Sequence, residues 1–403
     1  MAENNAKKIG LSTATITGMN AMIGSGIFAI PAVMAINVGP AGILAFIFVV
    51  ISVWFIAQSL ARVAQLFPQE GSFYTYAKQW GGHTMGLISS GAYIIGLLIA
   101  MGLLCQLVGH HLTYFFHGTS AETLGLIALT TIIVVNMFGV PLSQLGQRIL
   151  IFFTVFPMLV TIAICLTKIN FGLLFPFAPH GLSNILRATQ PVLFAFFGFE
   201  CASTLYNSVK NPEKNVPKAL TYSILLVGAI YILFVGSILL SVSPGLFVSE
   251  RTTIPEVLKV LFPHYPWIAT IINISIISAM LGTIHSMVWA ASSMLFSFFK
   301  KIKKPFVKKV IAKGTLNKTI CVALIGIFIF ISYTAIKKMN LFFSLAILFI
   351  VFAYITSIMT LLFIKQEWKS KQNIKTVLGI ITASVILMFA AKDLISELAK
   401  LIL

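Results

Sequence analysis

Phe196-Phe197-Gly198-Phe199-Glu200 sets a carboxylate beside a glycine inside an aromatic-rich hydrophobic run. A carboxylate near the centre of a bilayer costs roughly 2.5–3.5 kcal/mol even on lenient insertion scales, which makes it a candidate functional group. Glu200 is the only acidic residue that lands mid-span. It precedes Lys210 by ten residues, about 15 Å at helical rise, which is half a membrane from the cytosolic surface. A second glycine-interrupted run, Met22-Ile23-Gly24-Ser25-Gly26-Ile27-Phe28, lies in the first hydrophobic segment. Two interrupted spans in corresponding positions of two halves are the sequence pattern of a midplane solute site.

The rest of the chain agrees with a membrane setting. Of 403 residues, 58% are hydrophobic and 9% charged, with a mean hydropathy of +0.99. A soluble chain carries about 25% charged residues. Apolar stretches long enough to span recur along almost the whole length. The net charge of +18 does not point to nucleic acid, because the lysines collect in alternate loops. With the N-terminus in the cytosol, 20 of the 28 Lys and Arg fall on the cytosolic side, eight of them in the 300–318 loop. The opposite orientation violates the positive-inside rule loop after loop. The 300–318 loop is a solvated topological signal or a contact for anionic lipid headgroups. Cys105, Cys165, Cys201 and Cys321 fall within spans, without metal-type spacing, and read as packing residues.

Eleven spans are expected, near 11–36, 41–66, 85–109, 123–141, 149–167, 188–208, 219–242, 267–298, 319–336, 341–364 and 376–392. The fold class is therefore all-α and polytopic. Residues 11–168 and 188–364 form two five-helix sets, each opening on a helix with glycine at mid-depth, and 376–392 is an extra helix. Five is odd, so the sets start on opposite sides of the membrane, the geometry of an inverted repeat with helices one and six broken. In the outer loop 243–266, Pro255-Glu256-Val257-Leu258 suggests a short helix over the extracellular mouth.

Broken helices carry the chemistry. In hydrocarbon an interrupted backbone is tolerated only where it is buried or lines a cavity. Gly24 and Gly26 release the helix around Ser25 and let a ligand approach the backbone. The half-helix that follows points free N–H groups at the gap, suiting a carboxylate, with the Ser25 hydroxyl and the amides of Ser25 and Gly26 donating. The outer half of span six ends near Phe197 and offers carbonyls to an ammonium. Together these recognise a zwitterionic amino acid. The competing readings are close helix packing by the glycines and a structural, protonated Glu200 bonded to the unwound backbone. Phe194 is the candidate aromatic lid. His285, in span eight, is a packing histidine or a proton-handling group. His110, His111 and His117 have no accompanying carboxylates or cysteines for a metal site, and no nucleotide-binding or hydrolase motif occurs.

Gly24-Ser25-Gly26-Ile27-Phe28 with Pro31 resembles the first-helix motif of the amino acid–polyamine–organocation transporters. Phe197-Gly198-Phe199-Glu200, followed by Lys210-Asn211-Pro212-Glu213-Lys214-Asn215-Val216-Pro217, resembles that family's sixth helix and next loop. Phe67-Pro68, Gly71, Tyr74 and Tyr76 are similar to its second cytosolic element. The resemblance covers about residues 10 to 365 and looks nearest to the bacterial arginine–agmatine antiporter branch around span six. It implies alternating access around a midplane site, with substrate carboxylate at Ser25 and Gly26 and amine against the carbonyls of Met22, Phe194 and Phe197. Met287 falls where that branch has a tryptophan stacking on guanidinium, and Met101 where it has an asparagine. Both departures favour an apolar side chain over an arginine-type one.

The expectation is a secondary transporter of amino acids in the cytoplasmic membrane, working by exchange or proton coupling on a neutral or apolar L-amino acid. Substrate binding is assigned to Met22, Gly24, Ser25, Gly26, Met101, Phe194, Phe197, Gly198 and Met287, and coupling or gating to Glu200, Phe194 and His285. No cofactor or nucleic acid is expected; the partners are the amino acid, membrane lipid and, with coupling, protons. The rivals are a cationic amino acid or polyamine antiporter and a membrane-embedded enzyme using the His110–His111 pair.

Overall fold

The computed structural model describes residues 9–24, 26–68, 72–138, 144–200, 209–302, 305, 317–364 and 371–402. Among these residues the fold is helical, with one isolated bridge between Ile9 and Val209. The first half contains α1 (Leu11–Met22), α2 (Gly26–Asn37), α3 (Gly42–Leu66), α4 (Ser72–Leu112), α5 (Ala121–Met137) and α6 (Gln144–Leu166). The second contains α7 (Ser183–Ala195), α8 (Pro212–Ser241), α9 (Ile254–Leu261), α10 (Pro266–Lys301), α11 (Lys318–Ala335), α12 (Met339–Ile358) and α13 (Thr360–Phe363). The last helix is α14 (Lys371–Ile402).

Six described helices are long and apolar enough to cross a membrane, or seven when the pair α1 and α2, bent by 50°, counts as one broken span. Ala121–Met137, Ile151–Leu166 and Thr319–Ala335 are shorter apolar helices. The described part of each expected span falls on a helix, the first on the bent pair α1 and α2 and the sixth on α7 and the turns after it. The second half of span six, 201–208, and the loop from 306 to 316 lie outside the described residues. The chain is a multi-pass helical membrane protein. Its outward faces carry side chains that water would not favour, such as Ile51, Leu225, Leu233 and Phe330. In lipid these are solvated, and helix association rests on close packing and buried polar contacts.

Two helices organise the interior. α4 packs against α5, α10, α11 and α12, and α8 packs against α1, α3 and α6. α7 reaches α2, α3, α12 and α14. α4 starts earlier than expected. Its first turns, from Ser72, meet the span at Gly82, whose backbone (φ 68°, ψ −167°) is non-helical. Trp80 Nε1 donates to the Thr356 carbonyl at 2.7 Å, and Thr360 Oγ1 donates to the Tyr76 carbonyl at 2.6 Å, which fastens this segment to α12 and α13. The short helix expected in the 243–266 loop appears as α9. Thr253 and Glu256 form a reciprocal capping box, which satisfies two backbone donors at its start.

Arg251 fixes this loop. Its guanidinium donates to Gln106 Oε1 (3.3 Å), to His110 Nε2 (3.2 Å) and to the Lys337 carbonyl (2.5 Å). Its neighbour Glu250 accepts from Asn37 Nδ2 at 2.9 Å, so the loop also holds the end of α2. At the other end of the molecule, the Lys210 N–H bonds the Ile9 carbonyl at 2.9 Å. The start of the chain is thereby tied to the segment that leads into α8.

Candidate functional site: two helix breaks joined at mid-depth

The first break opens where α1 ends. Ile23 leaves helical geometry (ψ 80°), its N–H still bonds Met19, and the Gly24 N–H turns back to the Met22 carbonyl at 2.8 Å. α2 begins at Gly26. A methyl group at Gly24 would come within 2.5 Å of the Thr283 hydroxyl oxygen on α10, and one at Gly26 within 2.9 Å of the Phe194 ring. Both expected readings of these glycines, helix release and close packing, therefore apply together. Ser25 lies outside the described residues.

The second break follows α7. The Phe197 N–H bonds the Phe194 carbonyl at 3.2 Å, and the Phe199 N–H bonds Phe196 at 3.2 Å, so the helix decays into tight turns. Gly198 takes φ +103°, and a Cβ there would run into the Ala21 carbonyl oxygen of α1. Only glycine meets both conditions. Glu200 is 3% exposed. Its carboxylate accepts from the Gly198 N–H at 3.1 Å, from the Tyr354 hydroxyl of α12 at 2.9 Å and from the Tyr93 hydroxyl of α4. Phe73 stacks on Tyr93 with ring centroids 4.1 Å apart, and Phe199 lies 5.1 Å from Tyr354. The carboxylate thus nails the unwound turn to two helices that are remote in sequence.

The two breaks meet. The Tyr231 hydroxyl of α8 lies 3.0 Å from the Met22 carbonyl, which ends α1, and 3.0 Å from the Ala195 carbonyl, which ends α7. A phenol has one hydrogen, shared between these two acceptors. With the Gly24 N–H also on it, the Met22 carbonyl carries two donors. Phe194, the residue before Ala195, adjoins the junction. It packs on Gly26, 5.4 Å from the Phe197 ring and 5.2 Å from the Phe343 ring.

Met22, Gly24, Gly26, Phe194, Phe197, Gly198 and Glu200 lie on the two breaks and their contacts. Met287 lies one helical turn from Thr283 on α10, on the face that meets Gly24. Met101 is fully buried in α4, eight residues beyond Tyr93, about 12 Å further along the helix. His285 is not at the break: its Nδ1 lies 2.9 Å from Asn136 Nδ2 on α5. The outer histidines are taken up in packing contacts, His110 with Arg251 and His111 with Asn273, whose Nδ2 also donates to the His111 carbonyl at 2.9 Å. Among the described residues no group of three His, Cys, Asp or Glu side chains could hold a metal ion.

Sequence reasoning missed Tyr93, Tyr231, Tyr354 and Thr283. The available signal was the phenol itself, since a Tyr inside an apolar span must find a partner for its O–H. Which carbonyl or carboxylate it finds depends on tertiary packing.

Fold and site together define a polytopic membrane protein organised around the bent pair α1 and α2 and the unwound end of α7. The chain belongs to the amino acid permease family, whose pattern matches residues 9–394. It is similar to the branched-chain amino acid permease BcaP of Bacillus subtilis, with 25% identity over 72% of this chain and 66% of that protein. It is also similar to the serine/threonine exchanger SteT of the same organism, with 27% identity over 75% of this chain and 70% of SteT. The mitochondrial cationic amino acid transporter 3 of Arabidopsis thaliana is 24% identical over 79% of this chain and 57% of its own length. The chain spans about half to two thirds of the first relatives it matches, 66%, 52% and 64%. These names cover branched-chain, hydroxyl-bearing and cationic substrates, and single out no class.

Proposed function

We propose that this protein carries a neutral or apolar L-amino acid across the cytoplasmic membrane by alternating access, with its N-terminus in the cytosol. The observation that carries the reading is the junction of the two breaks at Tyr231, which sets the ends of α1 and α7 side by side. In this reading residues 11–168 and 188–364 are the two inverted halves. The substrate carboxylate sits at the start of α2, against Ser25 and Gly26, where the helix dipole favours an anion. The ammonium group takes the Met22 carbonyl from Tyr231, which keeps the Ala195 carbonyl, and completes its contacts at Phe194 and Phe197. Phe194 closes over it. Glu200 holds the unwound turn in the shape that presents those carbonyls.

The side chain then faces Met101 and Met287. These offer polarizable apolar surface and no charge, which supports leucine-like or threonine-like substrates over arginine-like ones. The carboxylate oxygens of Glu200 face Tyr93, Tyr354 and the Gly198 amide, so Glu200 is spoken for as a counter-ion to a cationic side chain. Counterflow into proteoliposomes, run with each of the twenty amino acids, agmatine and putrescine, tests the reading. Uptake of branched-chain or small neutral amino acids is expected, and uptake of arginine or diamines alone would replace it with the cationic antiporter.

A further inference from the structure

A cavity of about 190 Å³ opens between α2, α7, α12 and α14, on the outer side in the orientation proposed above. It has room for a small organic molecule rather than one or two waters. Both signs of charge line it: Arg187 of α7 and the carboxylates of Asp393 and Glu397 on α14. Arg187 meets Asp393 through Nε at 3.3 Å, one of the five N–H donors of a guanidinium. Asp393 also accepts from Gln190 Nε2 at 2.7 Å, and Glu397 accepts from Lys338 Nζ at 3.0 Å. With Lys338 included, the charges around the cavity balance, which suits a ligand that carries one positive and one negative group. Phe343 forms part of the wall, and its ring stands 5.2 Å from Phe194 at 73°. Phe194 in turn covers Gly26. The Phe343–Phe194 pair thus links the cavity wall to Gly26 at the first break.

We propose that the cavity is a second, outer binding site for a free amino acid, which receives the zwitterion before it passes the Phe343–Phe194 pair. Arg187 takes the α-carboxylate, as the guanidinium fork does best, and the carboxylates of α14 take the ammonium. This rests on the transport reading above, because the same ligand is assigned to both places.

The test is equilibrium dialysis of tritiated L-leucine and, separately, tritiated L-threonine against the purified full-length chain. Wild type should bind two molecules per chain. The double variant Arg187→Gln with Glu397→Gln should bind one, with the remaining affinity within about twofold. Arg187→Lys keeps the charge but loses the fork, and should weaken only the outer site. Should the double variant fail to give a monodisperse, cooperatively melting protein, Ser396→Phe, which fills the cavity from α14, takes its place with the same expectation. One molecule bound by wild type and variants alike overturns the outer site. Loss of both molecules in a folded variant overturns its independence from the midplane site. Binding of neither amino acid by wild type strikes the transport reading itself.

Discussion

Glu200 and Tyr231 carry the account at the scale of single residues. The Glu200 carboxylate accepts from the Gly198 amide and from the Tyr93 and Tyr354 phenols. An amide has a single acceptor oxygen, and its NH₂ would face donors. Glu200→Gln should therefore lower the unfolding temperature, with a loss of about 1–3 kcal/mol, and Tyr354→Phe should lower it by less. An unchanged melt in detergent would remove Glu200 from its place as the clasp of the second break. Tyr231→Phe leaves the Met22 and Ala195 carbonyls short of a donor when no ligand is bound. If the substrate ammonium takes over at Met22, ligand should stabilise this variant more than it stabilises wild type. Equal thermal shifts on adding substrate would contradict that hand-over. The special status of Glu200 was legible from one rule, that a mid-span carboxylate needs a reason. Its partners were not legible, because Tyr93 and Tyr354 lie 107 and 154 residues away.

At the scale of elements, the breaks were legible because glycine marks them in both helices. Helix release and close approach of a neighbour were competing readings of these glycines, and at Gly24 both hold. α10 supplies that neighbour for the first break, through Thr283 against Gly24. Gly24→Ala should thus impair folding and uptake by forcing α1 from α10. Adding Thr283→Ala removes the two atoms nearest the new methyl and should restore a substantial part of both. No recovery in the double variant would show that Gly24 serves backbone conformation rather than this contact. The α4 segment from Ser72 escaped sequence reading because it is short and divided from the span at Gly82. Trp80 and Thr360 fasten it from side chain to backbone across the fold, a pattern with no local signature. His285 was open to two readings, packing histidine or proton-handling group, and its contact with Asn136 accords with the first. A titratable side chain at mid-span invited a place in the site, yet helical phase turns it towards Asn136 when Thr283 faces Gly24.

For the whole molecule, the span pattern and the charge asymmetry were the legible part, since hydropathy and lysine placement are long-range averages that tolerate local error. The outer closure was not, because Arg251 and Glu250 draw on three separate hairpins. Orientation is testable directly. Single cysteines placed in the 243–266 loop of a cysteine-free variant should react with an impermeant maleimide on intact cells, and those in the 300–318 loop should not. Labelling of the second loop would invert the topology. The central claim is that the two breaks read the two charged ends of one amino acid. Competition in proteoliposomes by the methyl ester and by the N-acetyl derivative of the best substrate tests it most directly. Each should compete at least about tenfold less well, the loss of one charge-assisted contact of about 1.5–3 kcal/mol. A methyl ester or N-acetyl derivative that competes as well as the parent amino acid would contradict it.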